Sequence, residues 1–246
     1  MIELLVVIAI VCVLASLLLP ALSAAMSRAK ATACKNHLRN MGQALKMYVD
    51  DHLSRYPYYL GLPGDSHGDA GLHGRVYWSS QLVPYYPIHW SNLTFHCPGY
   101  RGVNWGPGYF AGAIERLGSY AYNYDGVRVG SPLPGHFGIG PVVFWKNVTA
   151  VSEAQIKVPS EMFTIGESRF YSADVNQCPG GLDYMICGQL KEPPRAFHVG
   201  RHGKNYNQLF CDGHVTGIDP WTLFNPTNTA SMWNYDHQPH PELWMP

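Results

Sequence analysis

From Met1 to Met26 the chain carries a single charge, Glu3, inside the run Met1-Ile-Glu-Leu-Leu-Val-Val-Ile-Ala-Ile-Val-Cys-Val-Leu-Ala-Ser-Leu-Leu-Leu-Pro20. A stretch of that length and apolarity spans a bilayer as one helix, and a fold built on it must gather its remaining core elsewhere. Glu3 is the exception within it. On insertion scales an acidic residue at mid-membrane costs roughly 2.5–3.5 kcal/mol, less near the interface, so this carboxylate calls for a cationic partner. A plain single-pass anchor accounts for the length and has no use for Glu3. A secretory signal peptide fits less well, because no basic region precedes the apolar core and the helical pattern continues past it. Arg28, Lys30, Lys35 and Arg39 follow the apolar run. By the positive-inside rule they would hold the C-terminal body in the cytoplasm, and a lost basic leader would reverse that orientation.

Beyond Pro20 the helix is expected to continue. Cys34, Leu38, Met41, Leu45 and Tyr48 recur at steps of four and three, while Arg28, Lys35, Arg39 and Lys46 take other faces, so residues 21–52 read as amphipathic. A helix of this total extent is about 80 Å long at 1.5 Å per residue, its first half projecting and its second half docked. Pro20 removes one backbone hydrogen bond and is expected to kink or locally melt it. At Ser54 the pattern breaks into Arg55-Tyr-Pro-Tyr-Tyr-Leu-Gly-Leu-Pro-Gly-Asp65, which has no helical period. Strand candidates are Val76–Trp78, Ser119–Tyr124, Val142–Trp145 and Met162–Ile165. The clearest hairpin joins Gln208–Phe210 to His214–Thr216 through Asp212-Gly213, a pair suited to a tight turn with positive φ. The expected fold is therefore α+β: a long N-terminal helix (1–53, with 1–26 for membrane or filament core) on an antiparallel head (54–218). An aromatic and proline-rich extension (219–246) follows. Trp221, Phe224, Trp233, Tyr235 and Trp244 in that extension need burial, against the head or against a neighbouring copy.

Charge excludes one class of partner. The 17 Lys+Arg match the 17 Asp+Glu, which gives nucleic acid no basic surface to meet. With 46% hydrophobic residues, 14% charged, 25 Gly and 19 Pro, the surface is loop-rich, poorly charged and suited to being covered by further copies.

Six cysteines need places. Cys12 lies in the apolar run as a small hydrophobe. Cys34 on the helix pairs with Cys97 of Phe95-His-Cys-Pro98 in the preferred assignment, and Cys178 with Cys187 across a short Pro-Gly loop, which leaves Cys211 single. Fully reduced thiols are the alternative. No nucleophile motif such as Gly-x-Ser-x-Gly is present, the adjacency of His96 and Cys97 does not make a catalytic pair, and no Cys-x-x-Cys-His binds haem, so an enzyme is not expected. The densest grouping of metal-type residues is His198, His202, Cys211, Asp212 and His214. Gly200 and Gly203 argue for a loop there rather than a zinc-binding helix, so structural histidines and a turn-forming aspartate are the simpler reading. No cofactor is expected. Asn92-Leu-Thr94 and Asn147-Val-Thr149 are glycosylation sequons.

The pattern Ile2-Glu-Leu-Leu-Val-Val-Ile-Ala-Ile10, further apolar residues, Pro20, small residues and then Arg28 and Lys30 resembles the N-terminal helix of type IV prepilin-like proteins. His202, nine residues before Asp212-Gly213, resembles the C-terminal motif of the prepilin-like group with an H-X9-DG domain. Cys34, Cys97-Pro98, Ser119-Tyr-Ala-Tyr-Asn123 and Val158-Pro-Ser-Glu161 fall in a similar order. The resemblance implies removal of a basic leader by a prepilin peptidase, methylation of the new terminus near Met1, and a Glu3 that pairs with a neighbouring subunit's terminal amine. The family usually has two more residues before the position of Met1. It further implies residence in the inner membrane, then polymerisation with other copies into an extracellular filament by the pilus assembly machinery. A pseudopilin of a type II secretion system, or a membrane-anchored extracellular binding domain, is the alternative. Calcium binds loop carboxylates in some related pseudopilins, but Asp65, Asp69 and Asp125 form no dense acidic loop.

Overall fold

The computed structural model describes residues 2–59, 78–87, 96–100, 119–124, 126–127, 137–140, 149–167, 201–203 and 205–243. One helix, α1 (Ile2–Asp51), runs through the whole apolar segment and on into the head. Pro20 lies inside it without interrupting it, so the expected local melting does not occur. The helix continues because the residues on either side keep their own hydrogen bonds, although an interior proline costs about 3 kcal/mol. The helix ends at residues 53 and 54, where Leu53 and Ser54 take positive φ (55° and 56°) and the Ser54 amide returns to the Val49 carbonyl at 2.9 Å.

The 3-and-4 spacing is expressed as packing. Cys34, Leu38, Met41, Ala44, Leu45, Tyr48 and Val49 are the buried residues of α1. They meet a four-stranded antiparallel sheet in the order β1 (Tyr120–Tyr122), β2 (Phe163–Glu167), β3 (Tyr206–Phe210) and β4 (Val215–Ile218). The fold is thus α+β, a long N-terminal helix against an antiparallel sheet, which is a pilin-like layout. A short helix, α2 (Trp78–Leu82), closes one side through Tyr48, whose hydroxyl donates to Gln81 Oε1 at 2.9 Å. Trp78, expected at the end of a strand, instead opens this helix and stacks on Tyr122 with ring centroids 5.1 Å apart. The Val142–Trp145 candidate lies outside the described residues.

The sheet separates two cores. Alternation along β1 sends Tyr120 and Tyr122 toward α1 and Ala121 to the opposite face. Along β2 the register shifts between Phe163 and Ile165, which lets these residues, two apart, face opposite sides: Ile165 joins the α1 core and Phe163 the other. The second core is closed by the C-terminal segment. There α3 (Pro220–Leu223) starts from an Asp219 cap and α4 (Pro226–Thr229) from an Asn225 cap. Leu223, Phe224 and Trp233 pack with Phe163, Tyr206 and Phe210, and Trp233 is fully buried. The extension's need for burial is met within its own head at these positions. Trp221 remains 46% exposed.

Candidate functional site

Two features stand out from the packed head. The first is the projecting part of α1. Every residue from 2 to 30 is exposed, including Ile2, Leu4, Leu5, Leu14 and Leu19, and the helix is long and apolar enough to cross a membrane. Glu3 sits in its first turn, where the positive end of the helix dipole favours a carboxylate. Pro20 and Cys12 are exposed on the same arm, while Met1 lies outside the described residues. At 1.5 Å per residue the exposed segment extends about 40 Å.

The second feature is a buried polar cluster at the root of that arm. Four segments supply it. Cys34 is the first buried residue along α1. Cys97 is held by both sides of its backbone: its amide donates to Ser119 Oγ at 2.6 Å and its carbonyl accepts from the Tyr100 amide at 2.8 Å. Glu167 ends β2, and its Oε2 accepts from the Asn207 amide of β3 at 2.6 Å. His202 is fixed by a bridge to Asn205 just before β3. Gly99 permits the approach, because a Cβ there would lie 2.8 Å from His202 Cε1 and 3.2 Å from the Arg201 carbonyl.

The side chains converge on one point. Cys97 Sγ lies 2.9 Å from Glu167 Oε1 and 3.0 Å from His202 Nε2, and those two atoms are 3.1 Å apart. With Cys34 Sγ, the four potential ligand atoms all fall within 4.8 Å of one another. Tyr120 donates its hydroxyl to Cys34 Sγ at 3.4 Å. Arg201, itself buried, places Nη1 3.8 Å from Glu167 Oε1 and donates to the Ser119 carbonyl at 2.6 Å.

Burial by itself opposes every charge here, yet mutual pairing overrides it at Cys97, His202, Glu167 and Arg201. Burial pushes the Cys97 thiol up, but hydrogen bonds with Cys34 and His202, and then the Arg201 charge, bring it down to about 7. Burial pulls the His202 imidazole down, while its bonds to Cys97 and Glu167 raise it to about 9. Glu167 is likewise disfavoured by burial and ends below the usual carboxylate range through His202 and Arg201. Cys34 goes the other way, pushed up by burial and by its bond to Cys97.

The geometry differs from that of a nucleophile–histidine–carboxylate relay. A thiol nucleophile and an orienting carboxylate use opposite nitrogens of a histidine, whereas Cys97 and Glu167 here meet the same atom, Nε2. The His202 Nδ1 atom has no hydrogen-bond partner among the described residues. Cys97 is also only 2% exposed.

Several sequence expectations are corrected. Cys34 and Cys97 do come together, as their assignment as a pair requires, but as free thiols rather than a disulfide. Cys178, Cys187, Asn92 and Asn147 lie outside the described residues, as does His198. The grouping of His202 with Cys211, Asp212 and His214 does not form. Strand β3 runs between its two ends, and five extended residues cover roughly 16 Å. Cys211 is half-buried beside Tyr56, desolvation pushing its thiol up to about 12. Asp212 and His214 form their own exposed pair at 2.6 Å across the hairpin turn. The spacing of His202 and Asp212-Gly213 thus measures one strand: the histidine ends in the buried cluster and Gly213, at φ 89°, makes the turn. Glu167 and Arg201 were not singled out by the sequence, although a lone glutamate closing the run Phe163-Thr-Ile-Gly-Glu167 is a signal of a partnered buried charge. Compared with protein-family models, curated proteins and solved structures, the chain matches none.

Proposed function

We propose that this chain is a structural subunit of an extracellular type IV pilus-like filament, polymerising through its N-terminal helix. The observation that carries the reading is the exposed arm of residues 2–30, apolar as far as Met26 but for a carboxylate at residue 3, and continuous with a helix that supplies Cys34, Leu38, Met41, Leu45, Tyr48 and Val49 to the head's main core. An arm of this kind must be covered, first by lipid and then by the arms of other copies. In this reading the protein waits in the inner membrane, a prepilin peptidase frees its terminus, and the assembly machinery extracts it into the filament. Glu3 sets axial register there by pairing with a neighbour's terminal amine, an ion pair whose main return is specificity of register.

The test is Glu3→Ala. Membrane insertion of the subunit should be unchanged, because removing a charge from an apolar helix does not hinder insertion. Filaments sheared from cells and viewed by electron microscopy should be absent or disordered. Normal fibres containing the variant, identified by mass spectrometry, would defeat the proposal. Wild-type protein confined to the membrane fraction would favour a pseudopilin or an anchored domain.

A further inference from the structure

We propose that Cys34, Cys97, Glu167 and His202 form a structural zinc site that clamps the root of the exposed arm onto the head. The inference stands apart from the filament reading, since it concerns how helix and head are joined whatever the arm enters.

Four separate segments each bring one donor atom to the same small volume, and each donor is of a type zinc accepts: two sulfurs, one imidazole nitrogen and one carboxylate oxygen, all within 4.8 Å. The set is closed. With Zn–S near 2.3 Å and Zn–N or Zn–O near 2.0–2.1 Å, neighbouring donors in a tetrahedral site lie about 3.3–3.8 Å apart. The contacts of 2.9, 3.0 and 3.1 Å among Cys97, Glu167 and His202 therefore need to open by only several tenths of an ångström. Side-chain rotation supplies that without moving the strands. Two thiolates and an imidazole select zinc over calcium or magnesium, which require oxygen ligands.

Charge supports the same assignment. Buried carboxylates and thiolates are costly unless compensated. On binding, the Cys34 and Cys97 thiols and the His202 Nε2–H release their protons to solvent, so two thiolates, one carboxylate and a neutral imidazole carry three negative charges. The dication and the buried Arg201 guanidinium, 3.8 Å from Glu167, balance them. A disulfide between Cys34 and Cys97 would satisfy the sulfurs alone. It would leave unexplained why a glutamate with a fully buried side chain and a histidine 3% exposed are aimed at Cys97.

Position gives the site its consequence. Cys34 is the first buried residue of α1, so a metal there joins the helix, where its projecting part ends, to the end of β2, to the loop holding Cys97 and to the segment entering β3. No position is left open for substrate, which marks a structural centre.

The experiment uses the full chain in detergent micelles, purified with reductant and without chelator. Elemental analysis should find about one zinc per chain. Replacement by cobalt should give a tetrahedral spectrum with thiolate-to-cobalt charge-transfer absorption. In Cys97→Ser and His202→Gln the metal should be lost, and in Cys211→Ser it should be retained. Because a ligand variant can fail to fold, the wild-type protein supplies a second measurement. Alkylation followed by peptide mapping should label Cys34 and Cys97 only after chelation. Absence of zinc, a Cys34–Cys97 disulfide, or labelling of Cys34 and Cys97 that chelation does not change would each overturn the proposal.

Discussion

The two halves of α1 share one backbone and obey different rules. From 2 to 26 the helix is apolar on every face but for Glu3, and every residue from 2 to 30 is exposed; from Cys34 to Val49 it is amphipathic, and its buried residues recur at steps of three and four. The first half is helical because helices satisfy their own backbone groups, as a bilayer core demands. The second half is held by packing against the sheet and would be marginal alone. A continuous helix therefore couples a segment whose stability comes from its surroundings to one whose stability comes from the head. Forces on the arm reach the head at Cys34 and the cluster around it.

That contrast is broken most severely from the far side of the sheet. Trp233→Ala should lower the unfolding free energy of the head by about 3–5 kcal/mol, because the fully buried indole sits against Phe163 and Phe224. Membrane retention of the arm should not change. Thermal unfolding in detergent, with carbonate extraction of membranes as the companion assay, checks both halves at once. A matched pair then sharpens the comparison along the helix. Leu38→Ala should cost about 2–5 kcal/mol, since Leu38 is fully buried. The same deletion at Leu14, 56% exposed, should leave the melting of the head where it was. Equal shifts for the two variants would mean that the halves are not energetically separate.

The sequence displayed this division because both halves have a local signature. An uninterrupted apolar run and a 3-and-4 spacing are each visible in a short window, and so is Asp212-Gly213, whose turn needs the positive φ that Gly213 adopts. The buried cluster has no local signature. Its four residues span positions 34 to 202, on α1, in the 96–100 loop, at the end of β2 and just before β3, and they meet only once helix, loop and sheet are packed together. Reading by proximity grouped His202 with Cys211, Asp212 and His214. The intervening strand holds the histidine and the turn at its opposite ends. Glu167 was hidden for a related reason, since its partners Asn207, Arg201 and His202 all come from the next strand and the segment leading into it.

Smaller effects probe how the C-terminal segment is fastened to the head. Asp219→Ala removes the α3 cap, whose carboxylate accepts from the Thr222 amide at 3.0 Å, and should cost about 1 kcal/mol at neutral pH. The hydrogen bond to Thr222 also holds the Asp219 carboxyl below its ordinary value, so the wild-type cap contributes above the unfolded pKa near 3.9 and fades as pH falls through the lowered one. A melting comparison of Asp219→Ala and wild type at pH 7 and at pH 3 checks this. The two should differ at pH 7, and the gap should narrow as pH falls toward 3.

The gentlest perturbation is a rise in pH at His240, which stacks on Phe137 at 3.7 Å and bonds to Asp236 at 2.8 Å and to Glu242 at 3.0 Å. Burial pulls this imidazole down, but the bonds to Asp236 and Glu242 outweigh it and leave its pKa raised. A raised value means that the charged pair stabilises fully below the unfolded histidine pKa near 6.5, and that the contribution disappears as pH climbs through the higher folded value. The His240–Asp236 pair is partly exposed, so the change should stay within about 0–1 kcal/mol. It should also be local. Tyr235, whose amide donates to the Phe137 carbonyl at 2.8 Å, should lose hydrogen-exchange protection between pH 6 and pH 9 after correction for intrinsic exchange. His240→Gln should remove that dependence, while amides at Leu38 and Leu45 on the docked half of α1 keep their protection throughout. If the Leu38 amide loosened together with Tyr235, the tail and the α1 core would be one cooperative unit, and the sheet would not divide the head into the two cores that its side-chain alternation describes.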